Sequence, residues 1–279
     1  MKVGVSSYSF QQYFNKGEIT AEGAVLKAAE LGFDAIEFTD FNLPECEVEQ
    51  VRVLAQEKGI EICALATGGN LLADTEAERE SACQKICHDL DIAKALGVSL
   101  FRFDVGSWLP KHLSFDQSLG RALPYMKRIA DYGESLGILT MIENHGYAFQ
   151  DWERVEKAYN AMNHKNFRLL IDIGNFFCAD QDNVLCVSKL ANLAAHVHLK
   201  DMKKLDFYDS SSKDGFFESR GGNFLQGTVI GEGDAKVAQC VKIIQKAGYD
   251  GYMVFEYEGA EDCVEGLKKS LAFVRDLLA

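Results

Sequence analysis

The sequence predicts a (β/α)8 TIM barrel that forms a single domain over residues 1–279. Strand-like and helix-like segments alternate along the chain, and no linker or low-complexity tract divides them. A helix end, a glycine and a β-forming run follow one another five times, at Gly32, Gly59, Gly97, Gly137 and Gly248. A glycine just past a helix takes up the left-handed conformation that closes the last turn. Helix-to-strand units in series require parallel strands and right-handed crossovers.

Eight short apolar runs have the length of buried strands in a parallel sheet. In chain order the predicted strands are Val3–Ser7, Ala35–Phe38, Glu61–Ala66, Leu100–Asp104, Thr140–Glu143, Leu169–Asp172, Ala195–Leu199 and Met253–Glu256. Helical periodicity fills most of the intervals between them. The clearest predicted helices are Ala21–Leu31, Glu47–Lys58, Glu76–Leu96, Gln117–Leu136, Ala235–Ala247 and Ala260–Leu278. Eight strand–helix units in a chain of this length favour a closed barrel.

An open, doubly wound sheet is the structural alternative for the same alternation of strands and helices. Such a sheet usually carries a glycine-rich phosphate-binding turn after its first strand. Here the turn after the first strand reads Ser6-Ser7-Tyr8-Ser9-Phe10 and contains no glycine. The closed barrel is therefore the preferred prediction.

The least regular stretch of the chain lies at about residues 203–233, after the seventh predicted strand. It is rich in glycine, serine and aspartate, and its aromatic residues are Phe207, Tyr208, Phe216, Phe217 and Phe224. A segment of this length without helical periodicity is unusual in a compact domain and is often functional. We expect a long loop over the active-site mouth of the barrel, with a disordered surface loop as the alternative.

Charge and composition restrict the partners of the protein. The chain has 42 acidic and 29 basic residues, and its net charge of −13 repels nucleic acid at long range. No apolar stretch approaches the length that a membrane crossing needs. Eight cysteines without a C-x-x-C pair or an N-terminal signal segment predict reduced thiols and a cytoplasmic protein. We expect neither nucleic acid nor a membrane as a partner, and a homo-oligomer stays open.

Four predicted strands end in residues that commonly bind metal ions, namely Glu143, Asp172, His198 and Glu256. Because the last residues of barrel strands meet at one mouth, these side chains should converge. Isolated buried carboxylates are costly, so three together need a cation or protons. Three oxygens and one nitrogen suit Mn²⁺, Zn²⁺, Co²⁺ or Mg²⁺, and we predict one divalent metal ion. The alternative is that each acid caps a strand or pairs with a lysine.

Five phrases carry a resemblance to a known family. They are Ile142-Glu143-Asn144-His145-Gly146, Ile171-Asp172-Ile173-Gly174-Asn175, His196-Val197-His198-Leu199-Lys200-Asp201, Gly231-Glu232-Gly233-Asp234 and Phe255-Glu256-Tyr257-Glu258-Gly259. In these phrases the chain resembles the sugar phosphate isomerase/epimerase superfamily, which has a xylose-isomerase-like barrel. The resemblance covers essentially the whole chain and implies that Glu143, Asp172, His198 and Glu256 bind the metal. It also implies that Glu143 and Glu256 move a proton beside the substrate carbonyl.

Further candidate residues surround these ligands. His145 is a third catalytic candidate, because it lies two positions past Glu143 and shares its face if the strand continues. A loop histidine is the alternative. The candidate substrate-binding residues are Glu37, Arg102, Asn175, Lys200, Tyr8 and Trp108. Arg102 could instead form an ion pair with Asp104 inside the barrel, and the aromatic residues could belong to the core.

The chemistry predicted for this set is proton transfer next to a carbonyl group. A divalent ion would stabilise the enediolate that forms when the carbon beside the carbonyl loses a proton. Together with the resemblance, this predicts a metal-dependent isomerase or epimerase of a keto-sugar or inosose. A keto-sugar or inosose dehydratase shares the same enolate and is the main alternative. A third hypothesis, an apurinic endonuclease, is disfavoured because the chain has only six histidines and a strongly negative net charge. A non-enzymatic sugar-binding barrel is a fourth hypothesis.

Overall fold

Eight parallel strands close into a barrel in the computed structural model, which describes residues 1–279. The barrel strands are β1 (Lys2–Ser6), β2 (Ala35–Thr39), β3 (Glu61–Thr67), β4 (Leu100–Phe103), β5 (Leu139–Glu143), β6 (Phe167–Asp172), β7 (Ala194–Leu199) and β11 (Tyr252–Phe255). Strand β11 closes the ring by pairing with β1, where Val5 lies opposite Phe255. The predicted (β/α)8 fold is confirmed, and every predicted strand end lies within about two residues of the observed one.

Nine helices accompany the strands. They are α1 (Gln11–Lys16), α2 (Ala21–Leu31), α3 (Val48–Lys58), α4 (Glu76–Leu96), α5 (Phe115–Leu136), α6 (Trp152–Met162), α7 (Asn183–Leu190), α8 (Val237–Lys246) and α9 (Cys263–Leu278). The six predicted helices are all present. Helices α1, α6 and α7 were not among the clearest predicted helices; α1 and α7, with 6 and 8 residues, are too short to give a strong periodic signal, whereas α6 is as long as α2 and was missed. All five predicted C-terminal glycines have positive φ, as a left-handed helix end requires.

The segment that the sequence predicts as a loop contains strands instead. Strands β8 (Asp201–Leu205), β9 (Phe217–Glu218) and β10 (Phe224–Thr228) form an antiparallel sheet in the order β8–β10–β9, which we call the accessory sheet. Its main pairing joins β8 to β10, with Lys203 opposite Gln226. Such pairing between residues far apart in sequence leaves no helical or local turn signal, so composition alone suggested a loop.

The main apolar core lies between the barrel strands and the surrounding helices, because it joins side chains from both. The fully buried aromatic residues are Phe10, Phe38, Phe101, Phe103, Phe149, Phe167, Phe176 and Phe255. All eight cysteines are free thiols, and six of them are buried, so they act as small apolar groups of the core. None of the helices combines the length and the apolar composition that a membrane crossing requires.

Candidate metal centre and active site

The structure brings together the four residues that the sequence predicts as metal ligands. Glu143, Asp172 and His198 lie at the ends of β5, β6 and β7, and Glu256 directly follows β11. The Nδ1 atom of His198 is 3.6 Å from Glu143 Oε1, 3.7 Å from Glu256 Oε1 and 4.0 Å from Asp172 Oδ2. One candidate ligand atom from each residue lies within 4.8 Å of the other three. We call these four residues the ligand cluster.

Asp172 is held rigidly by the turn that follows its strand. The backbone N–H groups of Gly174 and Asn175 donate to Asp172 Oδ1 at 2.7 and 2.8 Å. The Asn144 amide donates to the Asp172 carbonyl and accepts from the Asp172 N–H, at 2.9 and 2.8 Å. These contacts leave Asp172 Oδ2 as the oxygen that faces the ligand cluster.

His198 is oriented by Glu37, which lies beneath it in the barrel. The Nε2 atom of His198 is 2.9 Å from Glu37 Oε1, and the other Glu37 oxygen is 2.9 Å from His196 Nε2. With Nε2 engaged in this way, Nδ1 is the nitrogen that faces the other ligands. Glu37 was predicted to bind substrate, but it is completely buried and both of its oxygens are engaged by histidine rings.

The residues present fit a divalent cation. Asp172 Oδ2 and His198 Nδ1 are buried and have no hydrogen-bond partner within the chain. Two ligands that each lie about 2.1 Å from one ion are at most about 4.2 Å apart. The three distances from His198 Nδ1 are all shorter than this limit. Three carboxylates and one imidazole therefore form a site that could hold one Mn²⁺, Zn²⁺, Co²⁺ or Mg²⁺ ion.

Two cations flank the ligand cluster on opposite sides. Arg102 Nη2 is 2.8 Å from Glu143 Oε2 and 2.7 Å from Asp104 Oδ1. Lys200 Nζ is 2.5 Å from Glu256 Oε2 and 3.2 Å from Glu258 Oε1. Both cations are nearly buried, so each depends on its carboxylates for compensation of its charge.

The surroundings shift the pKa values of Asp172 and Glu143, the two most deeply buried ligand carboxylates, in opposite directions. Burial raises the pKa of Asp172 to about 7, and the nearby charges of Glu143 and Glu256 act in the same direction. Burial would also raise the pKa of Glu143, but the charges of Arg102 and His198 hold it well below its usual range. Glu143 therefore stays ionised, because its carboxylate resists protonation.

His145 forms a dyad with Asp104 at the edge of the site. Its Nδ1 atom is 2.9 Å from Asp104 Oδ1, and its side chain is 42% exposed. Burial has the largest effect and lowers the pKa of His145, but the charge and hydrogen bond of Asp104 together with the charge of Glu143 raise it on balance. The ring is thus oriented by a carboxylate and has its other nitrogen free.

A cavity of about 270 Å³, which we call the catalytic cavity, opens beside these groups. Its walls include Tyr8, Phe41, Arg102, Asp104, His145, Glu256 and Glu258. The predicted contact residues Asn175 and Lys200 lie behind it, since Asn175 donates to Glu143 Oε1 at 3.0 Å and Lys200 pairs with Glu256. Trp108 is 65% exposed, stacks on Tyr147 with ring centroids 4.3 Å apart, and does not line the cavity.

The predicted set of site residues does not include Asp104 and Glu258, although the sequence analysis considered Asp104 as a partner of Arg102. Asp104 orients His145 and pairs with Arg102, and Glu258 pairs with Lys200. Each lies two positions after a residue that the sequence analysis singled out, namely Arg102 and Glu256. The alternation of side chains along an extended chain was therefore the available signal.

Comparison with known proteins places these features in a family. Residues 25–277 match the family described as xylose isomerase-like TIM barrel. An inosose dehydratase from Mesomycoplasma hyopneumoniae (strain J) is 25% identical over 280 residues, which cover 94% of this chain and 90% of that protein.

Solved structures share the same architecture. The IOLI protein with a bound zinc atom superposes with a TM-score of 0.81 at 15% identity, covering 100% of this chain and 98% of that one. D-Psicose 3-epimerase from Clostridium cellulolyticum H10 gives a TM-score of 0.78 at 16% identity, with 100% and 99% coverage. At these identities the likeness establishes the fold alone. The family match over nearly the whole chain confirms the predicted resemblance: this protein belongs to the xylose isomerase-like TIM-barrel family.

Proposed function

We propose that the protein is a divalent-metal-dependent enzyme that removes a proton next to the carbonyl group of a keto-sugar or inosose and then eliminates water. The observation that carries this proposal is the ligand cluster at the wall of a cavity that also holds Glu256 and the His145–Asp104 dyad. When bound at Glu143, Asp172, His198 and Glu256, a divalent ion supplies the positive charge that stabilises an enolate oxygen.

Glu256 is the better proton acceptor of the two predicted glutamates. One Glu143 oxygen accepts from Asn175 and the other pairs with Arg102, so neither is free for a proton. Both Glu256 oxygens are engaged too, one toward the ligand cluster and the other 2.5 Å from Lys200 Nζ, but Glu256 lines the catalytic cavity and Glu143 does not. This asymmetry favours one base on one face of the substrate over a symmetrical pair.

His145 is placed to supply the second proton. It lines the same cavity as Glu256, and Asp104 holds its Nδ1, so its Nε2 can carry a proton toward the substrate. Loss of water needs such an acid, because hydroxide is a poor leaving group unless it is protonated. A base and an acid of different types therefore support elimination.

The relatives are consistent with this preference. The inosose dehydratase noted above aligns over almost the full length of both chains. The second candidate is the isomerase or epimerase that the sequence analysis preferred. It is supported by the convergence of Glu143 and Glu256 from separate strands in the ligand cluster, which would suit proton removal and return.

Proton NMR in D₂O with metal-loaded protein tests the proposal. A panel of inososes and keto-hexoses is incubated with the wild type, and both the exchange position and the product are identified. We expect solvent exchange beside the carbonyl and a dehydrated product. An epimer or an aldose–ketose pair without water loss would replace the proposal with the second candidate. A metal-loaded protein that exchanges no proton in any member of the panel would contradict both.

Variants separate the two proton-transfer roles. In Glu256→Gln the exchange rate should fall by about 10²–10⁴-fold, the usual share of a general base. In His145→Asn exchange should persist while water loss slows by a similar factor, because only the acid is removed. Glu143→Gln serves as the comparison and should act mainly through metal affinity. If Glu143→Gln and Glu256→Gln lose proton exchange equally at full metal occupancy, both glutamates act in proton transfer, as the sequence analysis predicts.

A further inference from the structure

A second cavity lies next to the catalytic cavity and is larger. Its volume is about 400 Å³, against about 270 Å³ for the catalytic cavity. It is enclosed by the turn after β1, the turn after β11 and the accessory sheet. Small-molecule sites occupy about 300–1,000 Å³, so this space is large enough for a ligand group of its own. We call it the amide cavity, after the side chains described below.

The two cavities share a wall. Tyr8 and Glu258 line both of them. Glu258 is in turn connected to the ligand cluster, because its Oε1 atom is 3.2 Å from Lys200 Nζ, which pairs with Glu256. A molecule that reacts in the catalytic cavity could therefore extend past Tyr8 and Glu258 into the amide cavity.

The chemistry of the amide cavity is polar and almost uncharged. Its polar side chains include Gln11, Asn15 and Gln226, and no lysine or arginine lines it. Tyr8, another lining residue, adds a hydroxyl group. Amide and hydroxyl groups of this kind bind ligand hydroxyls, because each offers both a donor and an acceptor.

A phosphate group would find no free cation in either cavity. Arg102, the only lysine or arginine that lines the catalytic cavity, is already paired with Asp104 and Glu143. In the accessory sheet region, Arg220 pairs with Asp151 through both of its terminal nitrogens. Phosphate recognition relies on available arginine or lysine, so the lining of the two cavities favours an uncharged substrate over a phosphorylated one.

We propose that the substrate is an uncharged molecule of two hydroxylated units: the reacting keto ring in the catalytic cavity and a second sugar-like unit in the amide cavity. This inference rests on the proposed function for the identity of the reacting ring. The size of the amide cavity, its shared wall and its neutral polar lining support the second unit.

Three probes test this inference by turnover. They are a keto-disaccharide, the matching keto-monosaccharide and the 6-phosphate of that monosaccharide. We expect kcat/KM for the disaccharide to exceed that of the monosaccharide by at least about tenfold, which corresponds to about 1.4 kcal/mol of additional binding. The phosphate should give no gain over the monosaccharide. A phosphate that is preferred over both neutral probes would overturn the inference.

A blocking variant assigns the effect to the amide cavity. Asn15 is exposed at its edge on α1, so Asn15→Trp fills the cavity without contact with the ligand cluster. It should reduce kcat/KM for the disaccharide to the level of the monosaccharide. Lys16→Trp is the matched control, because it adds the same bulk to the next residue of the helix, which does not line the cavity.

The outcomes separate this inference from the proposed function. Turnover of the monosaccharide without a preference for the disaccharide, and without an effect of Asn15→Trp, overturns the second unit and leaves the proposed function standing. If no keto-sugar reacts, the proposed function fails, and saturation-transfer NMR with maltose decides the inference. If the wild type gives saturation-transfer signals from both rings and Asn15→Trp gives them from only one, two subsites are supported. If the variant leaves the signals unchanged, the two subsites are rejected.

Discussion

At the scale of single residues, the choice of His198 nitrogen is the contact that makes the site suitable for a metal ion. Glu37 Oε1 accepts a hydrogen bond from Nε2 of the His198 ring. The Nδ1 atom of the same ring therefore faces Glu143, Asp172 and Glu256. A carboxylate behind a ligating histidine sets the tautomer and raises the basicity of the ring. Glu37 thus supports the site from beneath, although it does not line the catalytic cavity.

Replacement of this carboxylate should weaken metal binding. In Glu37→Gln the side chain keeps its size but loses its charge and one acceptor, so His198 is held less well and is less basic. We expect metal affinity to fall by about 10–100-fold, measured by competition with a chromogenic chelator. Asp40→Asn is the control, since Asp40 lines the cavity but pairs with Lys85 and not with the ligand cluster, and its affinity should stay near that of the wild type. An unchanged affinity in folded Glu37→Gln protein would contradict this role.

At the scale of structural elements, the accessory sheet is tied to the barrel by a buried aspartate. Asp201 Oδ2 accepts from the N–H groups of Gly231 and Gly233 at 2.9 and 3.0 Å, and Oδ1 accepts from Ala235 at 3.1 Å. These contacts fix the return of the chain toward α8. Phe217 and Gln226 of the same sheet line the amide cavity, so the position of the sheet bears on the substrate.

The variant Asp201→Asn tests this connection. The amide nitrogen of asparagine cannot accept from backbone N–H groups, and each buried donor left without a partner costs about 1–3 kcal/mol. We expect faster proteolytic cleavage within residues 203–233 and a raised KM, while the far-UV circular dichroism of the barrel is retained. Asp209→Asn, an exposed change in the same segment, is the control. Wild-type protease resistance and KM in Asp201→Asn would remove the proposed link between sheet position and substrate binding.

At the scale of the whole molecule, the ligand cluster carries negative charge that the neighbouring groups of the protein compensate only in part. Three carboxylates converge near His198, and Asp172 Oδ2 has no hydrogen-bond partner and only a 3.6 Å contact with Lys200 Nζ. A bound divalent ion would remove this cost in the folded state only, because the four ligands come from strands far apart in sequence. Metal binding should therefore be coupled to the stability of the whole barrel.

Metal removal is expected to lower the melting temperature. A metal ion whose free concentration is about 100 times its Kd stabilises the folded state by about 2.7 kcal/mol. Proteins of about 150–250 residues gain about 2–4 °C in melting temperature per kcal/mol, so the expected change is about 5–11 °C. The measurement is thermal unfolding of chelator-treated and reloaded protein. Asp172→Asn should respond much less to the ion, since it lacks the unpaired carboxylate oxygen. Equal metal-dependent shifts in wild type and Asp172→Asn would place the stabilising ion elsewhere.

The overall charge supports a prediction about nucleic acids. With a net charge of −13, the protein should neither bind nor cleave duplex DNA that contains an abasic site. The assay uses metal-loaded protein at low ionic strength, where any electrostatic attraction would be strongest. Cleavage that disappears in Asp172→Asn would contradict the prediction and revive the endonuclease hypothesis.

The sequence predicted the strand ends and the four ligands because these depend on local patterns. An apolar run with a charged last residue identifies both a buried strand and its mouth, which holds for Glu143 and Asp172, and His198 lies one residue before the end of β7. The same local patterns did not indicate the accessory sheet, whose strands β8 and β10 are separated by about 20 residues of irregular composition. They also did not distinguish the roles of Glu143 and Glu256.

By itself, the sequence determined the barrel, the order of its strands and the types of residue at its mouth. Periodicity, glycine helix ends and strand-end ligands are all encoded within a few residues of one another. Only the tertiary structure decided which groups pair: Glu37 with His198, 161 residues away, and Lys200 with Glu258, 58 residues away. Closure of the barrel sets these pairs, because the register of each strand against its neighbours determines which side chains meet across the mouth.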